Sequence, residues 1–200
     1  RSGKRLLTVG TDCAIGKKYA ALAIEKEMRT RSVEADFRAT GQTGIFISGR
    51  GVAVDSVVSD FVSGAAEWLS PAAAPDHWDI IEGQGALFHP AYAGVTLGLI
   101  HGSQPDLLVL CHELGRTHLR GFEGFAIPPL ESCIEIYLAA ARLTNPRARF
   151  AGVSLNTSRS GEAAAARALA ETSARLSLPC CDPIRGGVGP IVDNILSMAG

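Results

Sequence analysis

The feature that most constrains this chain is the run Gly10-Thr11-Asp12-Cys13-Ala14-Ile15-Gly16-Lys17-Lys18. It follows the apolar stretch 5–9 and precedes the stretch 19–28, rich in Ala, Leu, Ile, Glu and Lys. The first stretch reads as a buried strand and the second as a helix. Strand, glycine-bounded loop and helix in that order make a phosphate cradle. The glycines let the backbone curl so that its N–H groups converge, the helix N-terminus adds positive partial charge, and a lysine reaches an anionic oxygen. An anion is therefore expected against Gly10, Thr11, Asp12, Cys13, Ala14, Ile15, Gly16, Lys17 and Lys18.

Two departures from the pattern G-x-x-x-x-G-K-[ST] bear on which anion this is. Gly10 and Gly16 stand one residue further apart than in that pattern, and Lys18 occupies the place of the Ser or Thr whose hydroxyl holds Mg²⁺. Without that hydroxyl, in-line phosphoryl transfer lacks a part it relies on, and Thr11 or Asp12 would have to stand in. The positive character of the loop also predicts a lowered pKa for the Cys13 thiol.

The rest of the chain alternates strand-like and helix-like segments. Further strands are predicted at 33–39, 78–81, 107–111 and 150–155, with a brief one opening the segment 180–187; helices are predicted at 52–69, 92–102, 130–143 and 161–176. Residues 40–47 read as a glycine-punctuated loop and 112–129 as the longest irregular stretch, of a length that goes with function or mobility in compact domains. Such alternation specifies an α/β domain whose parallel sheet is covered on both faces. With 200 residues and 46% hydrophobic content the chain has enough apolar surface for one domain with a sizeable core, and self-association into a homo-oligomer is expected. A formal charge of −1 argues against nucleic acid, and no apolar run suggests a membrane span. The five scattered cysteines have no metal-ligand spacing, so no metal site is expected and a reducing, cytoplasmic compartment fits. The chain starts at Arg1 without an initiator methionine and enters a core strand almost at once, which reads as a domain excised from a longer protein.

In an open α/β sheet, ligands bind beyond the carboxyl ends of the strands. That rule gathers the cradle with several polar turns. Glu82 follows an apolar strand, where a carboxylate can take a proton from an amine, face Lys17 or hold a metal. His89 and His112 also follow strand ends and are natural bases for an ammonium nucleophile, so Glu82, His89 and His112 are the catalytic candidates. Arg116 and Arg120, at helical spacing, offer guanidinium forks for the carboxylates of an acidic substrate. Arg38, Gln42 and Gln84 complete the substrate-binding candidates.

Together, the loop 10–17, Glu82-Gly83-Gln84-Gly85, His89-Pro90-Ala91-Tyr92 and His101-Gly102-Ser103-Gln104-Pro105-Asp106 resemble the carboxyl-terminal P-loop domain of the D-glutamate N-acetyltransferase-like family across nearly the whole chain. The resemblance implies a three-layer P-loop NTPase-like (Rossmann-like) domain over 1–200 with a mainly parallel central sheet, preceded in the family by a Rossmann-like domain that is absent here. It also implies acetyl transfer from acetyl-CoA to the amino group of D-glutamate or a similar amino acid. On this reading the loop and Lys17 hold the CoA diphosphate, and Lys18 is placed for a further phosphate. The partners are a small amino acid substrate and the protein's own N-terminal domain. The loop spacing and the Glu-Gly-x-Gly turn are also similar to dethiobiotin synthetase, which keeps two alternatives open. One is an ATP- and Mg-dependent ligase or kinase with Thr11, Asp12 and Glu82 around the metal; the other is a non-catalytic nucleotide- or CoA-binding module.

Overall fold

The computed structural model describes residues 1–199. In chain order the strands are β1 (Lys4–Gly10), β2 (Ala35–Arg38), β3 (Trp78–Ile81), β4 (Leu107–Glu113), a hairpin of β5 (His118–Leu119) and β6 (Phe122–Ala126), β7 (Arg149–Asn156) and β8 (Cys180–Cys181). The helices are α1 (Lys17–Thr30), α2 (Gln42–Ser48), α3 (Val62–Leu69), α4 (Ala93–Ser103), α5 (Leu130–Arg142), α6 (Glu162–Leu176) and α7 (Gly189–Ala199). Six strands pair in the order β2-β3-β1-β4-β7-β8, every pairing parallel. This is an α/β fold of the P-loop NTPase-like kind.

The strand sequences explain the layering. Neighbouring residues point to opposite faces of a strand, and here both members of Leu6/Leu7, Ile80/Ile81 and Leu108/Val109 are buried, so each face of the sheet needs a cover. On one face Leu6, Ile80 and Val109 form a core with Ile24 and Met28 of α1 and Ile191 and Ile195 of α7. On the other, Leu7, Ile81 and Leu108 form a core with Ile100 of α4 and Cys133 and Tyr137 of α5. Among the described residues, no helix is long and apolar enough to cross a membrane.

Four local expectations are corrected. Residues 52–69 are not one helix: two 3₁₀ turns, Val54–Ser56 and Ser59–Phe61, precede α3. The N–H groups of Val52 and Val54 donate to the carbonyls of Ala39 and Thr40, so the segment's start is tied to the strand β2 side instead of to its own preceding turn. Residues 40–47 hold the short helix α2, closed by Gly49 in left-handed backbone at φ 72°. The irregular stretch 112–129 contains the β5–β6 hairpin. A seventh helix, α7, lies where the sequence reading ended in a turn. Pro190 signals a break there, yet it falls in the first turn of α7, where its missing N–H costs nothing.

The chain leaves β1 toward β2 on one side and returns through β3 to β4 on the other, so the strand order reverses beside β1, where such sheets open a crevice. Gly83, just past β3, closes the seam: its N–H donates to Thr8 Oγ1 (3.0 Å), and a Cβ would collide with the Thr8 carbonyl. Gly83→Ala is expected to cost about 2–3 kcal/mol and lower the melting temperature by about 5–10 °C. Gly124→Ala, where a Cβ meets nothing, should melt close to the wild type. Thermal denaturation followed by circular dichroism checks both.

Candidate functional site

The loop after β1 is anchored residue by residue. The Tyr137 hydroxyl, fully buried on α5, donates to the Gly10 carbonyl (2.6 Å) and lies within reach of the N–H groups of Gly10 (3.4 Å) and Leu87 (3.2 Å). Sequence reasoning missed Tyr137; its only signal was a hydroxyl on the apolar face of a predicted helix. The Thr11 N–H donates to the Cys111 carbonyl (3.1 Å), and its hydroxyl meets His112 Nδ1 (2.8 Å). Asp12 is wholly buried: Oδ1 accepts the Cys13 N–H (2.7 Å), and Oδ2 accepts Arg116 Nη1 (2.8 Å) and the Arg120 N–H (2.9 Å).

Past Asp12 the loop turns through left-handed backbone at Ala14 (φ 53°) and Gly16 (φ 115°), and Lys17 opens α1. The N–H groups of Ala14, Ile15, Gly16, Lys17 and Lys18 meet no acceptor among the described residues. Lys17, a buried residue 7% exposed, points its ammonium back to the Asp12 carbonyl (2.7 Å), and burial lowers its pKa. These residues form one wall of a cleft of about 650 Å³.

Glu82 lines the same cleft. Its Oε2 accepts the N–H groups of Thr40 (3.0 Å) and Gly41 (3.2 Å), and α2 lies so close that a Cβ on Gly44 would collide with the carboxylate. Burial pushes its pKa up, against the opposing pull of those two N–H groups and of Lys18 and Lys17. Gln84 donates to the Thr40 hydroxyl (3.2 Å), and both Gln42 and Gln84 line the cleft.

The remaining candidates stand elsewhere. His89 is 2% exposed, its ring stacked on Tyr92 (4.5 Å between centroids) and edge-on to Phe122 (5.0 Å). Its Nδ1 accepts the Ala91 N–H (3.2 Å), so a neutral ring carries its proton on Nε2 and offers no free base. Burial, and then Arg116, push the pKa of His112 down to about 4, which leaves it a weak proton acceptor near neutrality. Arg116 is held by Asp12, Glu113 and the Cys13 carbonyl (2.9 Å), a strut of the loop and no carboxylate clamp. Arg120 serves Asp12 through its backbone, and Arg38 pairs with Asp79 (2.6 Å) and Asp36 (3.4 Å) at the sheet edge. Thr11 and Asp12, the expected stand-ins for a magnesium ligand, face the protein and not the cleft.

The Cys13 thiol runs opposite to expectation: burial raises its pKa more than Lys17 lowers it. Cys13, Asp12 and a ring nitrogen of His89 lie within 4.8 Å of one another. The Asp12 carboxylate of this group already accepts three N–H donors, from Cys13, Arg116 and Arg120.

Residues 1–192 match a family described as a domain of unknown function, the DUF1611_C P-loop domain. The chain belongs to this family. It is 56% identical over 195 residues to a protein from a Pseudoalteromonas species, and 49% identical over 198 residues to one from Tritonibacter scottomollicae; both are named D-glutamate N-acetyltransferase. The alignments cover 98% and 99% of this chain, which spans only 59% and 60% of those relatives. A crystal structure of a DUF1611 family protein from Anabaena variabilis superposes with a TM-score of 0.92 at 40% identity, covering 97% of this chain and 57% of that one. A cobyrinic acid a,c-diamide synthase from Mycobacterium smegmatis, solved with ADP and magnesium, shares the fold at 13% identity with a TM-score of 0.56, covering 98% and 92%.

The lowered pKa of folded His112 sets a pH dependence. Its stabilising neutral form is fully favoured above the unfolded value of about 6.5, and that contribution is lost as pH falls toward about 4. The stability difference between wild type and His112→Gln is therefore expected to shrink across this window in urea titrations, and a constant difference would count against the assignment.

Proposed function

We propose that this chain is the P-loop domain of an N-acetyltransferase that moves acetyl from acetyl-CoA to the amino group of D-glutamate or a similar amino acid, and that the loop holds the CoA diphosphate. One observation carries the reading: a single cleft is lined by the loop residues whose five N–H groups have no partner among the described residues, by Lys17, and by a carboxylate whose pKa is raised. The names of relatives at 49% and 56% identity supply the reaction. The Mg-ATP alternative is disfavoured by Lys18 in place of a hydroxyl and by Thr11 and Asp12 facing away from the cleft.

The residues divide the work simply. Acetyl-CoA, a co-substrate, supplies an acetyl group activated as a thioester. The loop amides and the Lys17 ammonium hold anionic oxygens, and a bound diphosphate also offsets the cost of burying that ammonium. Glu82 takes a proton from the acceptor's ammonium group, a task suited to a carboxylate with a raised pKa; the freed amine forms the C–N bond at the thioester carbonyl, the C–S bond breaks, and CoA leaves as the thiol with the second proton given up by the nitrogen. Among the charged side chains of the cleft only Lys17 and Lys18 are cationic, against Asp55 and Glu82. Two carboxylates of an acidic amino acid need more, so the part of the relatives' length outside this chain completes the acceptor pocket.

Calorimetric titration with acetyl-CoA and with Mg-ATP tests the carrier: heat from acetyl-CoA is expected, and heat from Mg-ATP alone would end this reading. Glu82→Gln keeps an acceptor for the Thr40 and Gly41 N–H groups, so it is expected to fold and bind acetyl-CoA while lowering kcat about 10²-fold or more. The wild-type rate should rise with pH through a midpoint above the ordinary carboxylate range, because the base acts when deprotonated, and Glu82→Gln should lose that limb.

A further inference from the structure

The cleft also carries Lys18 beside Tyr19. Lys18 Nζ sits 5.4 Å from the centroid of the Tyr19 ring, and both residues line the cleft. Lys18 joins none of the ion pairs of the described residues, including the Asp12, Glu113 and Arg116 group just behind the loop. Tyr19 is 56% exposed. Lys17, by contrast, is buried at the centre of the loop and turned to the Asp12 carbonyl. The two neighbouring lysines thus face different surroundings, one buried against the Asp12 carbonyl and one over the Tyr19 ring at the cleft.

An ammonium in none of the ion pairs, lying over a half-exposed aromatic ring at the rim of an anion cradle, fits a purine nucleotide that carries one phosphate beyond its diphosphate. The base lies on the ring, and the extra phosphate meets the ammonium. ATP has no phosphate at the 2′ or 3′ position of its ribose, whereas CoA carries one at the 3′ position. The geometry points to Lys18 as the cation that holds the 3′-phosphate of coenzyme A, with Tyr19 as the platform for its adenine. The pair makes the cleft selective for CoA over adenine nucleotides without that phosphate. This rests on the acetyl-CoA reading above. Its rival on the same residues is that Lys18 replaces magnesium and neutralises the diphosphate itself.

Calorimetry with acetyl-CoA and 3′-dephospho-acetyl-CoA, on wild type and Lys18→Gln, separates the two. Both side chains reach solvent, so these substitutions leave the core untouched. Removing the 3′-phosphate is expected to weaken binding to wild type about tenfold and to make almost no difference to Lys18→Gln. Equal weakening of both ligands by Lys18→Gln assigns the lysine to the diphosphate and overturns the inference; so does a variant that binds both as the wild type does. Tyr19→Phe should bind like wild type and Tyr19→Ala about tenfold more weakly, and an unaffected Tyr19→Ala removes the adenine platform. If acetyl-CoA fails to bind the wild type, the acetyl-CoA reading itself falls and takes this inference with it, an outcome distinct from all the others.

Discussion

A single carboxylate with no solvent exposure holds the open loop in shape. Asp12 accepts N–H donors from three parts of the chain: its own loop at Cys13, the Arg116 side chain beyond β4, and the backbone of Arg120 in the hairpin turn. Buried charges persist only when paired and hydrogen-bonded on all sides, and removing one partner leaves the others uncompensated. Tyr137 fastens Gly10 in the same way from α5. These anchors end at Asp12 and Cys13, and the next five N–H groups have no partner among the described residues.

The electrostatics of the cleft follow from that packing. Burial lowers the pKa of the Lys17 ammonium and raises that of the Glu82 carboxyl, so one physical cause pushes both toward neutrality. An anion arriving at the loop restores what Lys17 lost to desolvation, and a proton arriving at Glu82 relieves the carboxylate. The two histidines are tied into the packing beside the loop: His89 stacks on Tyr92 and accepts the Ala91 N–H, and His112 is bonded to the Thr11 hydroxyl.

Much of this was legible from the chain alone where the cause is local. Strand, glycine loop, lysine and helix are contiguous, so Gly10 through Lys18 declared a cradle without help from the rest of the molecule. Glu82, Gln42 and Gln84 were reachable because they follow strands, and strand ends in a parallel sheet gather on one edge. The short helix α2 and the 3₁₀ turns before α3 were not, since Val52 and Val54 send their N–H groups to carbonyls after β2. The roles of Arg116 and Tyr137 were also hidden: the partners lie 104 residues away at Asp12 and 127 away at Gly10.

By itself the sequence determined the alternation of strands buried on both sides with covering helices, and hence a parallel sheet with a glycine-bounded loop between its first strand and first helix. Periodicity and loop chemistry act between near neighbours, so they can be read along the chain. Only the tertiary structure decided which charged groups face the cleft, which are struts, and which way their pKa values move. Burial and ion pairing are set by atoms that folding brings together from distant positions, and no local pattern around Arg116, His112 or Cys13 encodes them.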